Sequence, residues 1–124
     1  MDDRVRRALE SDRTIDITTV GRRSGEPRRI EIWFYRYDGR IFLSGSPGSR
    51  DWYANLVAHP DFTFHLKGSV QADLPARARP ISDESERREV VTGILEELGR
   101  GSGSIDEWVA RSPLAEVEFL DQSG

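Results

Sequence analysis

The Asp38-Gly39 step, set between an alternating apolar run and a short apolar one, constrains this chain more than any other feature. Asp-Gly accepts the positive φ angles of a two-residue hairpin turn, and such a turn joins antiparallel neighbours. Upstream, Ile30, Ile32 and Phe34 alternate with Glu31, Trp33 and Tyr35; downstream, Arg40 to Ser44 supplies a partner strand. An earlier run of Ile15, Ile17 and Thr19 ends at Gly21, so three strands are expected as a meander. A second hairpin is expected where Phe62, Phe64 and Leu66 meet Gly68-Ser69, followed by Val70, Ala72, Leu74, Ala76 and Ala78. A last strand runs through Val117 and Phe119. Parallel pairs need crossovers of about a dozen residues or more, which these hairpins do not provide. The pattern is that of a mostly β (α+β) fold: a small antiparallel barrel of about six strands with three to four helices.

Helix signals fall between the hairpins. A short helix is expected over residues 2–11, with Asp2 and Asp3 at its positive end and Val5, Ala8 and Leu9 on one stripe. Ser49 is placed to cap a second helix carrying Trp52, Tyr53, Leu56 and Val57 and ending before Pro60. Ser82 or Asp83 caps a longer one, with Val90, Val91, Ile94, Leu95 and Leu98 on one face and Gly99 as its stop. The connector Gly101-Ser-Gly-Ser104 is too short to separate domains, and a helical turn around Trp108 follows. One domain is expected over residues 1–124, its barrel occupying about 14–120.

At 124 residues with a net charge of -4, the chain reads as a single-core globular protein. An acidic balance argues against broad binding to nucleic acid or anionic membranes. No cysteine is present, so thiolate catalysis and Cys-based metal sites are excluded, and no other metal-ligand spacing stands out. There is no apolar run of bilayer length and no signal-peptide centre, so stable membrane insertion is not expected and the setting reads as cytoplasmic.

Against this acidic background, residues 21–40 hold six arginines. Arg22 and Arg23 lie between glycines at a turn, and Arg28 and Arg29 open the next strand. A glycine-flanked turn can point successive backbone N–H groups into one concavity, and guanidinium forks grip phosphate or carboxylate in pairs of bonds. That chemistry suits a phosphorylated or polycarboxylate ligand. Of 18 basic residues 17 are arginine, however, so the loop also reads as an ordinary exposed surface filled with the chain's habitual cation. His59 and His65 do not read as catalytic, Arg77 and Arg79 read as the wet side of a strand, and Trp33, Trp52 and Trp108 read first as packing residues.

Three signatures occur in order: Thr18-Thr19-Val20-Gly21-Arg22-Arg23-Ser24-Gly25 with Pro27-Arg28; Ser44-Gly45-Ser46; and Trp52-Tyr53-Ala54-Asn55-Leu56 with His59-Pro60. Together they resemble the deazaflavin-dependent nitroreductase family over about residues 14 to 120. The resemblance implies a split β-barrel of the flavin-binding type that binds coenzyme F420. It also implies hydride transfer from F420H2 to a small-molecule acceptor: a quinone, a nitro compound or an activated alkene. By the same resemblance, Arg22, Arg23 and Ser24 meet the coenzyme's phosphate or glutamate tail, and Arg28 and Arg29 add contacts from the next strand. Ser44, Gly45 and Ser46 line the deazaflavin ring, Gly48 continues that loop, and Trp52, Tyr53 and Asn55 lie beside the cofactor. Pro47 stands where the family often has lysine, a charge that Arg50 can replace. The tyrosine that the family places over the substrate before the last strand has no counterpart here, its expected position falling near Ile105. Ser46, Tyr53 or solvent is then the proton donor, and hydride chemistry itself asks little more of the protein than binding and orientation. Two alternatives stay open: FMN in the same barrel, or a non-catalytic module holding a cofactor or fatty-acid-like ligand. A homodimer across an exposed sheet is one assembly the resemblance allows.

Overall fold

The computed structural model describes residues 2–99 and 105–120. In chain order these form α1 (Asp3–Ser11), β1 (Thr14–Val20), β2 (Pro27–Tyr37), β3 (Arg40–Ser44), α2 (Asp51–Ala58), β4 (Asp61–Leu66), β5 (Ala72–Pro80), α3 (Glu84–Glu97), α4 (Ile105–Arg111) and β6 (Leu114–Phe119). The strands close into an antiparallel ring ordered β1-β2-β3-β6-β5-β4, with β4 returning to β1. Asp38 and Gly39 both adopt positive φ, at 54° and 70°, as the hairpin turn requires. Asp83 caps α3 by accepting from the Glu86 N–H, and Gly99 follows its end at φ 71°. The glycine-serine connector at 101–104 lies outside the described residues.

Alternation divides the apolar residues between two cores. Ile15, Ile17, Phe34, Leu43 and Phe64 fill the barrel, closed by Ala8 and Leu9 of α1 and by Trp52 and Leu56 of α2. Phe42, one residue out of step with Leu43, faces outward and packs with Ile81, Leu114, Val109 and the inner stripe of α3. α1 sits at the end where β1 begins and the β2–β3 turn lies. α2 lies at the other end, beside the turn that follows β1.

Several local expectations are corrected. Arg50, not Ser49, is the N-cap of α2; a guanidinium has no acceptor to offer the first-turn amides, and its N–H groups donate instead to the preceding loop. The inward stripe of α2 is Trp52, Asn55 and Leu56, an i, i+3, i+4 set that leaves Val57 in solvent and buries a polar amide. β5 begins at Ala72, so Val70 belongs to the turn, though it still packs on the core. Trp33 is 50% exposed on the outer face of β2, with the Arg13 guanidinium over its ring. Arg79 is not merely a wet side chain: it joins Arg40, Glu86 and Glu116 in a half-buried ionic cluster.

β2 is much longer than its partner β3, and this mismatch positions the site. β3 pairs only with Phe34 to Tyr37, whereas Pro27 to Trp33 pair with β1 alone. The first half of β2 therefore keeps one free edge, and the interior-facing Ile30 remains 36% exposed there.

Candidate functional site

A cavity of about 490 Å³ opens at that free edge, lined among others by Arg22, Arg23, Ser24, Arg28, Ile30 and Asn55, with Trp52 and Asp51 from α2. The turn beneath it is held by the Gly21 N–H donating to the Glu26 carbonyl (2.8 Å) and the Gly25 N–H to the Gly21 carbonyl (2.9 Å). Gly25 takes φ 71° to complete it. A Cβ on Gly21 would lie 2.6 Å from Ser24 Oγ, so the hydroxyl packs against bare backbone.

The four arginines named from the sequence have different partners. Arg22 donates from its amide to Asn55 Oδ1 (3.1 Å), from Nη1 to the same oxygen (3.0 Å), and from Nη2 to Asp51 Oδ1 (3.3 Å). Arg29 points to the opposite face of β2, where its Nε donates to Asp16 Oδ2 (3.0 Å). Lys67 first, and Arg29 with it, hold the Asp16 carboxyl below the usual carboxylate range. Arg23 and Arg28 are exposed and have no acidic partner among the described residues. The amides of Arg23 and Ser24 likewise donate to no acceptor there. The resulting donor set is two unpaired guanidinium groups and two free amides above an apolar floor of Ile30 and Trp52. It fits an acidic ligand with a flat apolar portion.

The remaining residues named from the sequence sit nearby but outside this cavity. Ser44 is buried and donates its hydroxyl to the Pro113 carbonyl (2.8 Å). Gly45 and Gly48 leave room for Arg50, whose Nη2 donates to the Ser46 carbonyl (3.1 Å) and approaches Ser46 Oγ at 3.4 Å. Tyr53 and Gly48 line a different cavity, of about 930 Å³, bounded by α2, α3 and α4. Thus one turn of α2 turns Trp52 and Asn55 to the arginine cavity and Tyr53 to its neighbour. His65, on the outer face of β4, is buried between Thr18 Oγ1 and Asp73 Oδ1, each at 2.7 Å. This polar staple across β1, β4 and β5 lies away from both cavities.

Two cavity residues were not singled out from the sequence. Asp51 was not named at all, and Ile30 only as one member of an alternating strand run. The unequal lengths of the runs flanking Asp38-Gly39 were the available signal, since a short partner must leave part of the longer strand uncovered.

Residues 2–100 match the family described as F420H(2)-dependent quinone reductase. The chain belongs to that family. Its cofactor is coenzyme F420, its activity is that of an F420H2-dependent oxidoreductase, and its acceptor is a small molecule. The fold is shared with a conserved hypothetical protein from Mycobacterium tuberculosis, at TM-score 0.76 and 17% identity over 98% of this chain and 81% of that one. An F420-H2 dependent reductase matches at TM-score 0.60 and 22% identity, over 86% of this chain and 95% of that one. A Bacteroides thetaiotaomicron protein assigned to 5-nitroimidazole antibiotic resistance matches at TM-score 0.68 and 14% identity, over 98% and 82%. Among the described residues of this reductase no helix is long and apolar enough to cross a membrane.

Proposed function

We propose that the arginine cavity holds the acidic tail of F420, that the deazaflavin ring lies along Ser44-Gly45-Ser46, and that the acceptor is a quinone. One observation carries this reading: among the described residues Arg23 and Arg28 lack carboxylate partners, at a cavity whose free amides and apolar floor come from the same turn, strand edge and helix. Both guanidinium groups are exposed and free to bond an incoming anion, and a tail bearing phosphate and carboxylates offers acceptors to both.

When bound, the coenzyme supplies the hydride. A quinone that takes up a hydride still needs one proton to become the hydroquinone, and the chain offers two hydroxyls for it. Ser46 accepts from Arg50, which leaves its own proton free to donate and places a cation beside the alkoxide that would result. Tyr53 has no hydrogen-bond partner among the described residues and faces the neighbouring cavity, where it can orient the acceptor's oxygen. Trp52 and Ile30 keep water from the apolar part of the site.

Fluorescence titration of the purified protein with F420 tests the placement, with saturable binding expected. No binding at concentrations on the order of tens of micromolar overturns it. Oxidation of F420H2 by quinones, enones and nitroarenes in parallel then tests the acceptor; faster turnover of nitroarenes than of quinones removes the quinone assignment.

A further inference from the structure

Arg22 and Arg23 are neighbours in sequence with opposite commitments, and the residue that separates them is Asn55. Its side chain is buried on the inward stripe of α2, with 6% of the residue exposed. Oδ1 accepts from both the amide and the Nη1 of Arg22, and Nδ2 donates to Oγ1 of the buried Thr19 (3.4 Å). The amide therefore ties α2 to the end of β1 and to the first residue of the arginine turn at once. The other bond to Arg22 comes from Asp51, whose side chain is 92% exposed, so it adds little.

We infer that Asn55 is a positioning residue that uses Arg22 as a clip, leaving Arg23, Arg28 and the free amides of Arg23 and Ser24 as the groups that meet the ligand's charge. This rests on the tail placement proposed above. The chemistry at position 55 is specific. An aliphatic side chain would leave the Arg22 amide without its acceptor, and a carboxylate would accept the same bonds while setting a negative charge beside an anion. A neutral amide alone does both jobs: it fixes the turn and spares the ligand that repulsion.

Two measurements test the inference. Amide exchange of Arg22 and Gly25, whose N–H groups have acceptors, followed by NMR without coenzyme, reads the clip. F420 titration across a salt series reads which charges face the ligand. In Asn55→Ala the turn amides are expected to exchange about tenfold faster or more, while Arg23→Ala leaves them unchanged. F420 affinity falls in both variants, yet only Arg23→Ala and Arg28→Ala flatten its dependence on salt. The double variant Asn55→Asp with Asp51→Asn keeps the acceptor oxygen and the net charge, and restores the exchange protection. Wild-type protection in Asn55→Ala overturns the inference, as does equal flattening of the salt dependence by Arg22→Ala and Arg23→Ala. Should Asn55→Ala fail to fold, the double variant decides alone: rapid exchange in its turn sinks the clip. If the wild-type protein binds no F420 while the exchange results hold, the tail placement falls and the clip stands.

Discussion

Near the β2–β3 turn, Arg40 donates to Glu116 (Nε, 3.0 Å) and Glu86 (Nη2, 3.2 Å), and Arg79 donates to the same two carboxylates at 2.8 and 2.6 Å. At the opposite end of β2, Arg23 and Arg28 meet no carboxylate among the described residues. The same side chain thus serves two ends. In the first cluster two positive and two negative groups satisfy one another and tie α3 to β3, β5 and β6. In the second, guanidinium groups are left open beside free amides and an uncovered strand edge. An arginine-rich composition explains neither arrangement. What marks the site is which arginines lack partners, a property of the fold rather than of the residue count.

The largest expected effect removes the open pair. Arg23→Ala combined with Arg28→Ala should weaken F420 binding by about 3 to 4 kcal/mol, because each loses charge-assisted bonds to the ligand. The melting temperature should stay unchanged, since neither side chain has an acidic partner among the described residues. A large loss of stability with unchanged affinity would make these two arginines structural and erase the contrast. The paired cluster should behave in the reverse way. Glu116→Ala removes an acceptor shared by Arg40 and Arg79 and should cost about 2 kcal/mol of folding stability with F420 affinity unaffected, as read by thermal unfolding beside titration.

Much of this was legible in the sequence where one local rule decides. Asp38-Gly39 specified its turn and with it the third strand, Ser82 or Asp83 and Gly99 bracketed α3, and apolar alternation marked the other strands. The same period separates Arg28, which shares the cavity face with Ile30, from Arg29, which shares the outer face with Glu31, so alternation also sorts the two adjacent arginines. What local rules missed depends on neighbours distant in sequence. Asn55 is buried because the turn after β1 arrives beside α2, Ile30 is exposed because β3 ends early, and His65 is buried because Thr18 and Asp73 flank it across three strands. Ser49 is not the cap because α2 begins one residue later, at Asp51 behind an extended Arg50, a shift that sequence spacing does not encode.

Acid sharpens the comparison at a smaller scale. Arg79 first, with Arg40, holds the Glu86 carboxyl below its ordinary range, and Arg40 first, with Arg79, does the same for Glu116. Their folded values lie below the unfolded ones, so the unfolded chain takes up protons first as pH falls. The stabilisation is complete above the unfolded carboxylate value of 4.5 and is lost as pH drops through the depressed folded values. Between pH 6 and about 3, wild-type protein should therefore lose roughly 1 kcal/mol more stability than the Glu86→Gln, Glu116→Gln double variant. Parallel loss in the two proteins would show that the cluster is not what acid dissolves.

The smallest effect is expected at Asp51, which stands between the two cases: an acid at the cavity mouth, 3.3 Å from Arg22 Nη2 but almost wholly in solvent. An exposed ion pair contributes little, and Arg22 remains held by Asn55, so Asp51→Asn should leave the melting temperature unchanged. Removing its charge from the mouth of an anion cavity should tighten F420 binding by up to about threefold at low salt, an advantage that fades as salt screens it. Weaker binding, on the scale of Arg23→Ala, would mean that the exposed pair organises the turn after all. Arg22 would then belong with the paired arginines of the α3 cluster, held by a carboxylate rather than by a buried amide.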